Sequence, residues 1–322
     1  DPETARHIAD AIALRTANVL RRAESEIGRH GKMTSALVAI PSNTSESLPI
    51  ISAGHITENK NPGEHGMEWG QIISDSYELS GPVLQNCSLS LIQAVRSMIT
   101  TGYGRNIPYP VPADLGLWRC EEMQPRIGEI AAVIPDDTWM RKHLERFLDT
   151  SAELLCVRSD QYRSDLFFGG VDLAVMRLAS PASPGSLDTT VRTQDIVGPG
   201  VSGAPIFAKI VKDGKAGMVC DEYGRPVVIG MAVGYEATKK LPRTSGQPRT
   251  NVVVEAPDGS IHFSVDGSAR PAETFENAQE AIASGGKGEM HMVWAWQIHE
   301  FLRKHGFEPL RPEGGLITLN RF

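Results

Sequence analysis

Three glycines and two prolines crowd into eight residues, Gly198-Pro199-Gly200-Val201-Ser202-Gly203-Ala204-Pro205. Proline removes a backbone donor and fixes φ, so neither a helix nor a central strand runs through this stretch. The chain must turn tightly there and then enter the apolar run Ala204–Val211. The same punctuation recurs throughout, with 31 glycines and 21 prolines separating short β-prone runs. Such a pattern suits a barrel protein with long loops. Ser202 sits at the centre of the turn. A serine hydroxyl is a poor nucleophile unless a base takes its proton and backbone N–H groups face the developing oxyanion. Glycine two residues before it frees the backbone to aim such an N–H, and glycine after it lets a substrate chain approach. The bland account is ordinary turn chemistry.

Two other segments carry residue types that would complete this chemistry. Leu48-Pro49-Ile50-Ile51-Ser52-Ala53-Gly54-His55-Ile56 is an apolar strand ending in small residues and a histidine. Gly169-Gly170-Val171-Asp172-Leu173-Ala174-Val175-Met176 places an aspartate at the head of a strand. In the order His55, Asp172, Ser202, these motifs resemble those of the chymotrypsin-like (trypsin-like) serine proteases. The resemblance covers residues 33–60 and 150–265.

The resemblance implies a fold and a set of roles. The fold is mainly β with added helices: a chymotrypsin-like double β-barrel with a mixed insertion and N- and C-terminal helices. Ser202 would be the nucleophile, His55 the general base and then acid, and Asp172 the residue that orients the imidazole. The N–H groups of Gly200 and Ser202 would form the oxyanion hole, where losing one donor costs about 3 kcal/mol of transition-state stabilisation. Substrate would add as a strand along Gly230, Met231, Ala232 and Val233. Asp195 would face the pocket for the residue before the cut and favour basic side chains; pointing outward, it would leave that pocket apolar.

The spacing departs from the family. His55 precedes Asp172 by 117 residues, and Asp172 precedes Ser202 by only 30. Asp75, Asp160 and Asp165 therefore rival Asp172 as the acid. The spacing predicts a first barrel over 32–180 with an insertion at 81–150, a second barrel over 181–268, and a C-terminal helical extension over 269–322. The insertion reads equally as padding or as a control of access or partner choice.

Element by element, residues 1–31 read as a helix running to Ile27, with Ile8, Ile12, Val19 and Leu20 near one face. Strands follow at Thr34–Ile40, Leu48–Ala53 and Gln71–Leu79. Leu84–Thr100 reads as a helix through Leu89, Ile92, Val95 and Ile99. Leu115–Cys120 and Ile127–Ile134 read as strands, and Asp136 opens a helix to Leu148. Thr189–Ile196, Pro226–Tyr235 and the hairpin Asn251–Ala256 with Ser260–Val265 follow as strands. Ala272–Ala283 and Met292–His305 close the chain as helices.

Composition narrows the classes. Net charge is −7 and the basic residues form no stripe, which argues against nucleic acid as a partner. No apolar run reaches the length of a membrane span. Cys87, Cys120, Cys156 and Cys220 show no Cys-x-x-Cys spacing, so neither a metal nor another cofactor is expected. Ile56 follows His55 where secreted animal members of the resembled family often carry a cysteine, which leans toward a reducing, cytoplasmic setting or a bacterial-type enzyme. Beginning at Asp1 without a signal peptide, the chain reads as a fragment or processed form. The partners expected are a protein or peptide substrate and a regulatory protein. The alternative is a pseudoprotease that binds or regulates on the same fold. An α/β-hydrolase esterase is disfavoured, because that fold places its histidine after the serine.

Overall fold

From Thr16 onward the buried positions alternate: Ala17, Val19, Arg21, Ala23 and Ser25 point inward while Arg22 and Glu24 face solvent. That period of two belongs to a strand, not to the helix expected to run to Ile27. The helix α1 (Pro2–Leu14) ends earlier, and β1 (Thr16–Ser25) begins two residues on. The computed structural model describes residues 2–42, 47–59, 68–81, 87–95, 114–121, 130–144, 148, 152–157, 173–178, 190–193, 201–212, 215–240, 250–255, 261–265, 268–271, 287–315 and 317–319.

A two-residue turn joins β1 to β2 (Gly28–Val38), with Ser25 opposite Gly28. β3 (Leu48–Ala53), β4 (Ile72–Ser80), β5 (Cys87–Val95) and β6 (Leu115–Cys120) follow. These six strands close a barrel in the order β1-β2-β3-β6-β5-β4. β5 corrects the helix expected over Leu84–Thr100. Cys87 and Leu89 are buried while Ser88 and Ser90 face out, so alternation decides over the three-residue spacing of Leu89, Ile92 and Val95. β5 and β6 therefore complete the barrel that carries His55, where an insertion was expected.

A second sheet gathers β7 (Glu153–Val157), β8 (Leu173–Leu178), β9 (Thr190–Thr193), β10 (Pro205–Lys212), β11 (Lys215–Cys220), β12 (Val228–Lys240), β13 (Thr250–Glu255), β14 (Ile261–Val265), β15 (Ser268–Pro271), β16 (Lys287–Trp294) and β17 (Ile317–Leu319). Six of its strands pair in a ring, β7-β8-β9-β16-β12-β10 and back to β7. Ranked along the chain, that ring repeats the order of the first barrel. The mainly β architecture is thus present and is consistent with a double barrel, but its boundaries differ from those expected. β1 lies within the expected helical region 1–31. β7 and β8 belong to the second sheet although the first barrel was expected to reach residue 180. β16 lies within the expected helical extension 269–322.

Three helices are described. α2 (Asp137–His143) starts where Asp136 caps it, the Asp136 carboxylate accepting from the Trp139 N–H at 2.8 Å. α3 (Ala295–Lys304) is shorter than the helix expected over Met292–His305, because β16 runs to Trp294. The helix expected over Ala272–Ala283 lies outside the described residues. Of the strand expected at Ile127–Ile134, residues 130–134 are described and contribute an isolated bridge from Val133 to Val227. None of the described helices is long and apolar enough to cross a membrane.

Strand parity divides the core. Ala36, Val38, Leu48, Ile50, Trp118 and Cys120 fill the first barrel. Their neighbours Leu37, Ile51, Leu115 and Leu117 face the other way and pack with the second sheet. β3 is accordingly buried at all six positions, one face toward each core. Its end is therefore held from both sides, and His55 follows that end directly.

Candidate active site

Gly54–Thr57 forms a single 3-10 turn at the end of β3. A side chain at Gly54 has no room: a Cβ would lie 2.8 Å from the carbonyl oxygen of Val95 and 3.0 Å from that of Leu115. The close approach brings β3 against the start of β6, where Asp114 waits. Gly54 donates its N–H to the Asp114 carbonyl at 3.1 Å. His55 donates its own N–H to Asp114 Oδ1 at 2.8 Å, and its ring Nδ1 meets Asp114 Oδ2 at 2.7 Å. Both side chains are buried, with 6% of His55 and 3% of Asp114 exposed. One carboxylate thus grips both the backbone and the ring of one histidine.

This geometry sets the tautomer. A carboxylate at Nδ1 keeps the proton on that nitrogen and leaves Nε2 with a lone pair to accept a proton. Asp114 adopts φ +52°, the one non-glycine residue with positive φ among those described. Aspartate tolerates this left-handed backbone better than most residues. Backbone strain of this kind concentrates at functional sites.

Ser202 lies on a β-turn, Val201 to Ala204, closed by the Ala204 N–H to the Val201 carbonyl at 2.8 Å. Gly203 holds the third position with φ +88°, as a type II turn requires. Two further bonds tie the turn to β12: Gly203 N–H to the Ala232 carbonyl at 2.6 Å, and Ala232 N–H to the Ala204 carbonyl at 3.0 Å. A Cβ at Gly203 would fall on the carbonyl oxygen of Ser35 and on Ser52 Oγ. The serine turn is therefore seated against β2 and β3 of the first barrel, three residues before His55. Ser52 is fully buried and fixed there, its Oγ donating to the Ser35 carbonyl at 2.6 Å. Both described hydrogen bonds of the His55 ring and N–H go to Asp114, and none joins it to Ser202.

The other expected site residues fall in different places. Asp172, Asp160, Asp165, Asp195 and Gly200 lie outside the described residues. The strand that Asp172 precedes, β8, pairs with β7 and β9 in the second sheet and not in the barrel of His55. Asp75 is engaged elsewhere, by Arg21 at 2.8 and 2.9 Å. Gly230 and Met231 have both strand edges taken, by β10 on one side and β16 on the other. No extra strand can add at those two residues. Ala232 spends both its N–H and its carbonyl on the serine turn, and Val233 is buried at a register shift in the β12–β16 ladder.

Asp114 is not among the acids expected from the sequence, yet the sequence holds a signal for it. Asp114-Leu115-Gly116-Leu117 has the same form as Asp172-Leu173-Ala174-Val175: aspartate, an apolar residue, a small one, an apolar one. It lies 59 residues after His55, an interval that holds β4 and β5. Among the described residues, no group of three or more His, Cys, Asp or Glu side chains could hold a metal ion.

No family model matches the chain, and no curated protein matches it. Solved structures with some likeness include a thermostable serine protease, AL20, from an extremophilic microorganism. It is 11% identical with a TM-score of 0.37, over 75% of this chain and 91% of that one. Another is the scabies mite inactivated protease paralogue S-I1, 12% identical with a TM-score of 0.31, over 85% of this chain and 96% of that one. Likenesses this slight carry no weight for activity, which rests on the residues alone.

Proposed function

We propose that the chain is a serine endopeptidase on a chymotrypsin-like double barrel, with Ser202 as nucleophile, His55 as base and Asp114 as the acid in place of Asp172. The observation that carries this reading is the double grip of Asp114 on His55. In the proposed reaction His55 Nε2 takes the Ser202 proton as Oγ attacks the scissile carbonyl. Asp114 stabilises the imidazolium that forms, and His55 then returns the proton to the leaving amine. Water releases the acyl group by the same steps in reverse order. The N–H groups of Gly200 and Ser202 are proposed for the oxyanion, and a protein or peptide chain for the substrate.

The second reading is a pseudoprotease that binds without cutting, favoured by the lack of a hydrogen bond between Ser202 and His55. Catalytic bonds in unliganded sites are often long and tighten only with substrate, so the first reading stands ahead.

A fluorophosphonate probe with mass mapping separates the two. The expected result is an adduct on Ser202 that disappears in Ser202→Ala and His55→Ala. Asp114→Asn should slow labelling by about 10⁴-fold, the scale on which a triad loses rate when its acid no longer holds the tautomer. Asp172→Asn should label at the wild-type rate. Equal loss in Asp172→Asn with none in Asp114→Asn would return the role to Asp172. No adduct on the folded wild-type chain would favour the pseudoprotease.

A further inference from the structure

Arg21 is an unusual inward residue of β1: only 2% of its side chain is exposed, and all five of its N–H donors are engaged. Nε and Nη2 grip the two oxygens of Asp75 at 2.9 and 2.8 Å. Nη1 donates to the carbonyls of Ile56 and Glu58 at 3.1 and 2.9 Å, and Nη2 reaches Asn59 Oδ1 at 2.7 Å. The guanidinium lies over two aromatic rings, 4.9 Å from the Trp69 centroid and 5.7 Å from that of Tyr77.

Those carbonyls belong to the segment that leaves His55. The His55 carbonyl accepts from the Glu58 N–H at 3.0 Å, so Glu58 is one bond from the histidine backbone. Asp114 holds the same residue, His55, from its N–H side. A 3-10 turn of four residues leaves its last carbonyls without partners of its own; Arg21 supplies one to Ile56 from across the barrel and shares the Glu58 carbonyl, just beyond the turn, with Lys32 Nζ at 2.8 Å. A bidentate pair with Asp75 fixes the plane of the guanidinium, which a lysine could not reproduce.

We propose that Arg21, oriented by Asp75, is a positioning residue that sets the angle at which His55 meets Asp114 and the serine; this rests on the hydrolase reading of His55 above. Arg21 touches no reacting atom. It acts by locking the carbonyl side of the His55 turn while Asp114 locks the amide side.

The test uses the whole chain and two readouts. One is the rate of fluorophosphonate labelling at Ser202. The other is the downfield proton resonance of His55 Nδ1, which reports the hydrogen bond to Asp114 without any reaction. Arg21→Lys should remain folded by thermal melting, lose its sharp resonance to exchange broadening, and label about ten- to a hundredfold more slowly, the scale of a misplaced catalytic group. Guanidinium added to Arg21→Ala should recover both signals. Should Arg21→Lys melt below the assay temperature, Asp75→Asn carries the same comparison, because it leaves Arg21 in place and removes only its bidentate partner. A folded variant with wild-type resonance and wild-type labelling overturns the proposal. If the wild-type chain does not label at all, the hydrolase reading fails. The resonance then decides alone: sharp in wild type and broadened in the variant upholds the clamp, and equal in both overturns it.

Discussion

Gly203 meets two demands at once. Its φ of +88° lies where a Cβ is strained, and its Cα faces Ser35 and Ser52 with no space between. An alanine at a compatible glycine site stabilises a protein slightly, whereas one at positive φ costs about 1 kcal/mol or more before any clash is counted. Gly203→Ala should therefore lower stability by more than that amount in a urea melt, and should suppress Ser202 labelling in the fraction that folds. A variant with near wild-type stability and labelling would show that contact with the first barrel does not seat the serine. Glycine on both sides of Ser202 was readable from the motif, and so was His55 after its run of small residues. The aspartate proposed as the acid was not, because the pattern of aspartate, apolar, small, apolar occurs twice. Choosing between Asp114 and Asp172 needs the knowledge that β6 lies beside β3 and β8 does not, and strand pairing between distant segments leaves no local trace.

At the scale of single elements, local signals succeeded where one chemistry dominated. Leu48–Ala53 and Leu115–Cys120 form strands at the residues expected. They failed where two periods competed, as in 87–95, whose apolar residues satisfy both a helix face and a strand face. Asp136 shows a signal that is both local and testable. Its carboxylate caps α2 through the Trp139 N–H and also meets Arg311 at 3.2 Å. Losing an N-cap oxygen costs about 1 kcal/mol, and a half-exposed ion pair is worth little. Asp136→Ala should lower stability by about 1 kcal/mol, and Asp136→Ser, which keeps a capping oxygen and drops the charge, should regain most of it. Equal losses in both variants would move the weight to the Arg311 pair.

Across the whole molecule, segments remote in sequence bind the first barrel to the second sheet. α1 buries Ile8, Ala11 and Ile12 in the core that the second sheet shares with the outer face of the first barrel. Arg15 then donates to the Ala131 carbonyl at 3.1 Å in the connecting segment. After α3, the chain runs back across the first barrel: Leu310 donates to the Ile40 carbonyl, and Ser42 to that of Glu308. Ile134 donates to the Leu310 carbonyl in the same crossing. No local sequence signal announces such ties, since each side is an ordinary apolar or extended segment until its partner is known.

His299 sits at this junction, 1% exposed, with Nδ1 donating to the Ile134 carbonyl at 2.9 Å. Its Nε2 has no partner among the described residues, and burial pushes its pKa below the ordinary histidine value of 6.5. The Ile134 bond opposes that shift, as do Asp136 and Glu308, while nearby Arg311 reinforces it. As pH falls past about 6.5, the unfolded chain therefore takes up a proton that the folded chain refuses. The unfolded state binds more protons, so stability is full above that pH and declines below it, until the folded histidine titrates in turn. One such group changes stability by at most about 1.4 kcal/mol per pH unit. His299→Asn keeps a side-chain N–H for Ile134 and removes the titration. Urea melts between pH 7.5 and about 5 should give a shallower loss of stability for the variant than for the wild-type chain, with the two curves parting near 6.5. Parallel curves would mean that the acid sensitivity of the junction arises from other groups, and that the barrel and the second sheet are held together there independently of the histidine's charge.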